Sequence, residues 1–245
     1  MKNLFIPLLA CIACAVVVSF TAVSVRSTQE LNLENDKKSK ILLAAGINSE
    51  NINEEFEKIE IIYVNFKSNE LVEMDEKYDH LKATLKSDLS TAVPKEKDIA
   101  ILKRMENVGP MYLWFDKEDN IEKVVLPIRG YGLWGTLYGY ISLASDLNTI
   151  NGIEFYEHKE TPGLGAEVDN PKWKSLWPGK QLYKNNEVAL EVIKGKVPEG
   201  DTNLAYKVDG LSGATITSRG VTNMIKFWFS DSGYANLFSE LDYES

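Results

Sequence analysis

The sequence predicts an α+β fold: an antiparallel β-sheet with helices packed against it, preceded by one N-terminal transmembrane helix. Three observations predict it. An uncharged apolar run extends from Leu4 to Val25. Segments of strand composition follow one another at hairpin spacing between Met111 and Tyr156. The chain then reaches a segment of helical period, Thr217 to Phe229, with Val221, Ile225 and Trp228 on one face and Gly233 near its end. Hairpins followed by a helix that can cover them make the α+β class.

The elements are justified in order. Leu4 to Val25 is long enough to cross a hydrocarbon core of roughly 30 Å as a helix. A signal peptide competes with this reading, but its apolar region is usually shorter and Thr21-Ala22-Val23 is a poor cleavage site. Cys11 and Cys14 lie well inside the run, so a lipoprotein site at either is disfavoured. A retained anchor is therefore expected. Lys2 before it and Arg26 after it leave the positive-inside count nearly balanced. Thr28 to Ala45 is expected as an exposed helix that stops at Gly46, and Asn51 to Ile59 as a short helix. Ile61 to Phe66 has strand composition, and Glu73 to Asp98 is charged and loop-like. Met111–Phe115 with Ile121–Pro127 forms one hairpin across Asp116 to Asn120, and Leu137–Ala144 with Ile150–Tyr156 a second. Val188 to Ile193 is a further expected strand. The division that follows is an anchor over 1–27, a helical stalk and α/β lead-in over 28–107, and an α+β domain over 108–245.

Composition excludes several functions. The formal net charge is -9 and no basic patch with interleaved aromatics occurs, so nucleic acid is not an expected partner. Both cysteines lie in the apolar run, which leaves the rest of the chain without disulfides or thiolate metal ligands. His80 and His158 do not share metal-ligand spacing. There is no P-loop, nucleophile elbow or dinucleotide fingerprint, so no nucleotide-binding motif is expected in this chain.

The most informative stretch is Asp209-Gly210-Leu211-Ser212-Gly213-Ala214-Thr215-Ile216-Thr217-Ser218. Small and hydroxyl-bearing residues lead straight into the terminal helical segment. A helix start gathers unpaired N–H groups and the positive end of the dipole, a setting that holds phosphate. An ordinary turn with a Ser or Thr N-cap is the plainer reading of the same letters.

Asp-Gly-x-Ser-Gly-Ala-Thr resembles the flavinylation motif of FMN-binding domains in bacterial respiratory complexes. Glu160-Thr161-Pro162-Gly163-Leu164-Gly165 matches a second motif of that family. Gly132-Leu133-Trp134 and the run from Glu167 to Trp173 narrow the likeness. With the N-terminal span, the chain resembles the C-subunit family of the sodium-translocating NADH:quinone oxidoreductase, densely from Val108 to Trp228. The G subunit of the RNF ferredoxin:NAD oxidoreductase shares the hydroxyl and Glu-Thr-Pro-Gly-Leu-Gly motifs and is the nearest alternative. An anchored ligand-binding or scaffold domain without a redox role is an alternative of another class.

The resemblance implies FMN bound covalently to Thr215 through its phosphate, attached by a flavin transferase. It also implies electron transfer to another covalent flavin in a partner membrane subunit, within a complex that reduces quinone and drives sodium. The soluble domain would lie outside the cytoplasmic membrane of a bacterium. Gly213 and Ala214 would let phosphate approach the backbone, with Ser212 beside them. Asp209 would orient the loop or cap a turn. Thr217 and Ser218 would bond the phosphate or N-cap the helix. In the second motif, Thr161 and the amides around Glu160 and Gly163 would meet the pyrimidine edge of the flavin, with Leu164 over the ring. Trp134, in a glycine-rich loop from Gly130 to Gly135, is either a neighbour of the ring or plain core.

Overall fold

The computed structural model describes residues 2–75 and 77–241, so Glu76 and the last residues of the expected 108–245 domain lie outside it. Helix α1 runs unbroken over Lys2–Ala44, and its apolar part carries the mark of a membrane-crossing segment. About 20 residues at 1.5 Å each cross a hydrocarbon core, so a helix of 43 residues has a stalk to spare. The expected separate helix over Thr28 to Ala45 is the second half of this one helix. Gly46 stops it, as expected: with φ +77 it lets the Gly46 amide donate to Leu43 O at 3.0 Å and the Ile47 amide to Leu42 O at 2.8 Å. Both bonds satisfy carbonyls that the helix end would otherwise leave unpaired.

The chain divides into two compact units, 1–39 and 40–245. The second begins with the last turn of α1 and continues through α2 (Ile52–Phe56), β1 (Glu60–Asn65), β2 (Glu70–Val72), α3 (His80–Ala83), β3 (Ser90–Ala92) and β4 (Arg104–Glu106). The long strands follow: β5 (Val108–Phe115), β6 (Ile121–Tyr131), β7 (Thr136–Ala144) and β8 (Ile150–Glu157). After α4 (Pro171–Lys174) come short strands β9 (Tyr183–Lys184), β10 (Glu187–Val188), β11 (Glu191–Val192) and β12 (Lys207–Val208), then α5 (Thr215–Trp228) and α6 (Ala235–Leu241). The main sheet is six-stranded in the order β2-β1-β5-β6-β7-β8, and its pairings are antiparallel. Because β1 pairs with β5, the expected boundary at residue 108 does not separate compact units.

Both faces of the sheet are covered, and strand alternation sorts the side chains. Val124, Leu126, Ile128, Leu137, Ile141 and Phe155 pack in one cluster with Val221, Met224, Ile225 and Trp228 of α5. Val125, Trp114 and Tyr140 point the other way, onto Ile41, Leu42, Ala44 and Ala45 at the end of α1. That last turn is thus buried, where the charge pattern led to an exposed helix. Fully burying such a side chain is worth roughly 1.5–3 kcal/mol, which ties the end of α1 to the sheet. Gly152 permits the close approach: a Cβ there would lie 2.6 Å from the carbonyl oxygen of Ala44.

Other expectations shift in detail. The segment from Glu73 to Asp98 contains α3 and β3, because Asp79 caps α3 by accepting the Leu81 and Lys82 amides. The expected strand from Val188 to Ile193 is β10 and β11, which pair with β9 and β12 respectively. Gly130 and Tyr131, expected in a loop, extend β6, where they pair with Leu137 and Thr136. The terminal helix begins at Thr215, not Thr217.

Candidate functional site

Three segments meet at the start of α5. The first is the tight turn between β6 and β7, closed by the Gly132 amide donating to Gly135 O at 2.8 Å. The second is the loop after β8, in which the Leu164 and Ala166 amides both donate to Thr161 O at 3.1 Å. The third is the hydroxyl loop, which turns through Gly213 at φ +71 and enters α5 with Ala214 in the N-cap position. Gly213 is required for two reasons: its φ is left-handed, and a Cβ there would stand 2.8 Å from Leu164 Cδ2. The second loop therefore lies directly against the third.

The hydroxyls of the third segment separate sharply. Thr215, the first residue of α5, is exposed, as are Ser212 and Gly213. Thr217 is 0% exposed and its hydroxyl donates to Glu160 Oε2 at 2.5 Å, while Ser218 Oγ accepts the Leu211 amide at 3.0 Å. Neither is an N-cap, which corrects that part of the expectation for both: one turn into the helix, their hydroxyls are bonded within the protein, Ser218 at the edge of a hollow that Thr215 also borders. Ala214, also buried, offers only its backbone.

Glu160 is likewise turned inward. Its carboxylate is buried, and Oε1 accepts the amides of Leu133 and Trp134, each at 2.9 Å. Both oxygens are thus occupied by protein donors, so the side chain supports the loops. His158 holds the same residue from behind. Its Nδ1 accepts the Glu160 amide at 3.2 Å, which leaves Nε2 to donate to Asp169 Oδ2 at 2.8 Å. Asp209 anchors the hydroxyl loop: its Oδ1 accepts the Val197 amide at 2.8 Å, and its carbonyl accepts Trp173 Nε1 at 2.8 Å.

Around Thr215 the surface carries exposed apolar side chains on one side and, on the other, charged side chains in which Lys172, Lys194, Lys196 and Arg219 stand among Glu167, Glu191 and Asp209. Trp134 is 62% exposed, which removes the core reading for it, and Leu133, Leu164 and Ile216 are also exposed. Thr161 and Gly163 are exposed on the second loop, Gly163 at φ +75. A hollow of about 630 Å³ opens beside Thr215, with Lys172, Trp173, Leu176, Lys194 and Lys196 in its walls. A second, of about 480 Å³, is bounded by Lys194, Thr215, Arg219 and Thr222. Lys194 and Thr215 border both.

This donor set fits FMN. An exposed hydroxyl at a helix start, flanked by cations and by hollows of ligand size, suits a phosphate ester, and the exposed apolar side chains suit a planar ring. The lysines at 194 and 196 escaped the sequence reading, since single exposed residues carry no pattern, and Leu133 and Ile216 were read there only as letters of motifs, without a role of their own. Trp173 lay in a stretch noted only as a family mark.

Residues 132–230 match the family model of the FMN-binding domain. The chain is 40% identical to the C subunit of Na(+)-translocating NADH-quinone reductase from Pseudomonas aeruginosa, over 98% of this chain and 95% of the relative. It is 36% identical to the protein of the same name from Yersinia pestis, over 95% of this chain and 90% of that one. Among solved structures it resembles Shewanella oneidensis NqrC, with a TM-score of 0.78 and 36% identity, covering 85% of this chain and 98% of that one. The C subunit from Parabacteroides distasonis aligns with a TM-score of 0.67 at 33% identity, over 88% of this chain and 97% of that one.

Proposed function

The chain belongs to the C-subunit family of Na(+)-translocating NADH-quinone reductase, and from that premise we propose that it holds FMN covalently on Thr215 through a phosphoester. It is an FMN-binding, electron-transferring subunit of an oxidoreductase complex. The full-length likeness to these C subunits sets aside the G subunit of an RNF complex.

The observation that carries the assignment is the contrast between Thr215, exposed at the first position of α5, and Thr217, buried and bonded to Glu160. A transferase reaches only an accessible hydroxyl. The phosphodiester that forms keeps one negative charge, which the unpaired amides of the first turn and the side chains of Lys194 and Arg219 offset. FMN supplies, when bound, the capacity to accept and pass on electrons singly. The protein's share is placement. Leu164, Thr161 and Trp134 offer apolar surface and a hydroxyl against which a planar ring is held in one orientation.

Helix α1 anchors the chain in the bacterial cytoplasmic membrane, with the folded unit on the extracytoplasmic side. Its partners are the other subunits of the sodium-translocating complex, one of them a membrane subunit that also carries covalent FMN, and the flavin transferase that matures both. No carboxylate lies between Leu4 and Val25, so the sodium path runs through other subunits.

Intact mass and peptide mapping after co-expression with a flavin transferase test the assignment. The added mass of the FMN group is expected on the peptide that follows Lys207, at Thr215, and is expected to vanish in Thr215→Ala. Flavin fluorescence in a denaturing gel from Thr215→Ala would defeat it. Absence of covalent flavin from the unsubstituted chain would favour a scaffold without a redox role.

A further inference from the structure

Glu160 sits at the junction of the three segments that build the site, and its carboxylate touches two of them besides its own. Oε1 accepts both consecutive amides at the tip of the β6–β7 turn, Leu133 and Trp134. Oε2 accepts the hydroxyl of Thr217, two residues beyond Thr215 on the same helix. The packing around the carboxylate is tight enough to dictate neighbouring residue types. A Cβ on Gly132 would stand 2.5 Å from Oε1, and one on Gly165 would collide with Oε2 and come 2.7 Å from Thr217 Oγ1. Two glycines on different loops are thus shaped to one side chain.

We propose that Glu160 is a positioning residue. Its buried carboxylate locks the turn that presents Trp134 to the helix that presents Thr215, so the attachment point and the surface facing the flavin ring move as one body. The proposal rests on the reading of Thr215 as the flavin site. The physical case is the strength of the links. Hydrogen bonds to a charged acceptor in a buried setting are worth roughly twice neutral ones, and a buried carboxylate that loses its donors is penalised heavily. Trp134 has little else to hold it, since its side chain is largely exposed. The helix also approaches the base of the turn at Gly220, whose Cβ position falls on Tyr131 O, whereas the carboxylate reaches the amides of Leu133 and Trp134 at the tip.

The experiment compares Glu160→Ala, Glu160→Gln and Thr217→Val in the full chain, with and without flavinylation. Amide hydrogen exchange of Leu133 and Trp134 reads the lock without any cofactor. Covalent mass reads attachment, and visible-range circular dichroism of the flavin reads ring orientation. Glu160→Ala is expected to speed exchange at both amides by about tenfold or more, to keep the covalent mass and to weaken the dichroism. Glu160→Gln keeps an oxygen for both amides and offers an NH₂ to Thr217 Oγ1, so it is expected to restore protection and dichroism. Thr217→Val severs only the helix side and remains informative should the alanine variant fail to fold: dichroism weakens while both amides stay protected. Unchanged exchange in a folded Glu160→Ala, a glutamine variant no better than alanine, or unaltered dichroism in Thr217→Val would overturn the proposal. Flavin found elsewhere than on Thr215 would instead defeat the attachment reading, and the exchange data would still judge the lock.

Discussion

Gly220 lies inside α5, one turn beyond Thr215, and its replacement by alanine sets local preference against tertiary packing. In a helix interior alanine is favoured over glycine by about 0.8–1.0 kcal/mol, and it also lowers the entropy of the unfolded chain. From the helix alone, Gly220→Ala should stabilise. The tertiary structure predicts the reverse. A Cβ at 220 collides with the carbonyl oxygen of Tyr131 and comes within 3.1 Å of Gly132 Cα. These are backbone atoms, so no rotamer change relieves the clash. The helix must move off the β6–β7 hairpin, yet it is pinned there by Trp228 Nε1 donating to Arg129 O at 2.8 Å and by Met224, which fills the space above Gly130. Overpacking of this kind costs typically 1–3 kcal/mol, which outweighs the helix gain or at least cancels it. For a unit of this size each kcal/mol shifts the midpoint by roughly 2–4 °C, so the net of about 0–2 kcal/mol gives a fall of up to about 8 °C and no rise. Thermal melts in detergent of the full chain, beside the exposed neighbour Arg219→Ala as control, measure it. A Gly220→Ala protein that melts higher than the parent would refute the packing argument.

Other outcomes follow from the same structure. Trp134→Ala and Leu164→Ala, at exposed positions, are expected to change stability by no more than about 0.5 kcal/mol while keeping covalent FMN and altering its absorption spectrum; unaltered spectra in both would take these residues out of the site. Arg129 meets Glu106 through Nη1 to Oε1 at 2.8 Å and Nη2 to Oε2 at 2.6 Å, both side chains buried, with the guanidinium 5.3 Å from the Trp228 ring centroid. Removing one partner strands the other, so Glu106→Ala is expected to cost about 3–5 kcal/mol in denaturant melts, and a loss under about 1 kcal/mol would mean that water reaches the pair. Protease added to intact spheroplasts is expected to degrade the folded unit, whereas protection equal to that of a cytoplasmic control would reverse the topology.

Local chemistry made part of this protein legible from its letters. The apolar run to Val25, the hairpin across Asp116 to Asn120, the stop at Gly46 and the hydroxyl loop before α5 each depend on residues within a few positions of one another, and there composition and period suffice. The reach of each element depended on partners distant in the chain. β6 continues through Gly130 because Met224 packs where a side chain would be, and the last turn of α1 is buried because Tyr140 and Val125 lie beneath it. The site divides in the same way. Sequence placed two threonines in the loop and could not rank them by surroundings, since each is a hydroxyl at a helix start. The fold ranks them: the end of β8 carries Glu160 to Thr217, a residue 57 positions away, and leaves Thr215 in the open. Glu160 stood in the sequence only as the first letter of a loop motif, with nothing near it to assign its carboxylate a partner. Only the convergence of three loops, each brought by a different strand or helix, supplies the donors that hold a carboxylate inside the protein.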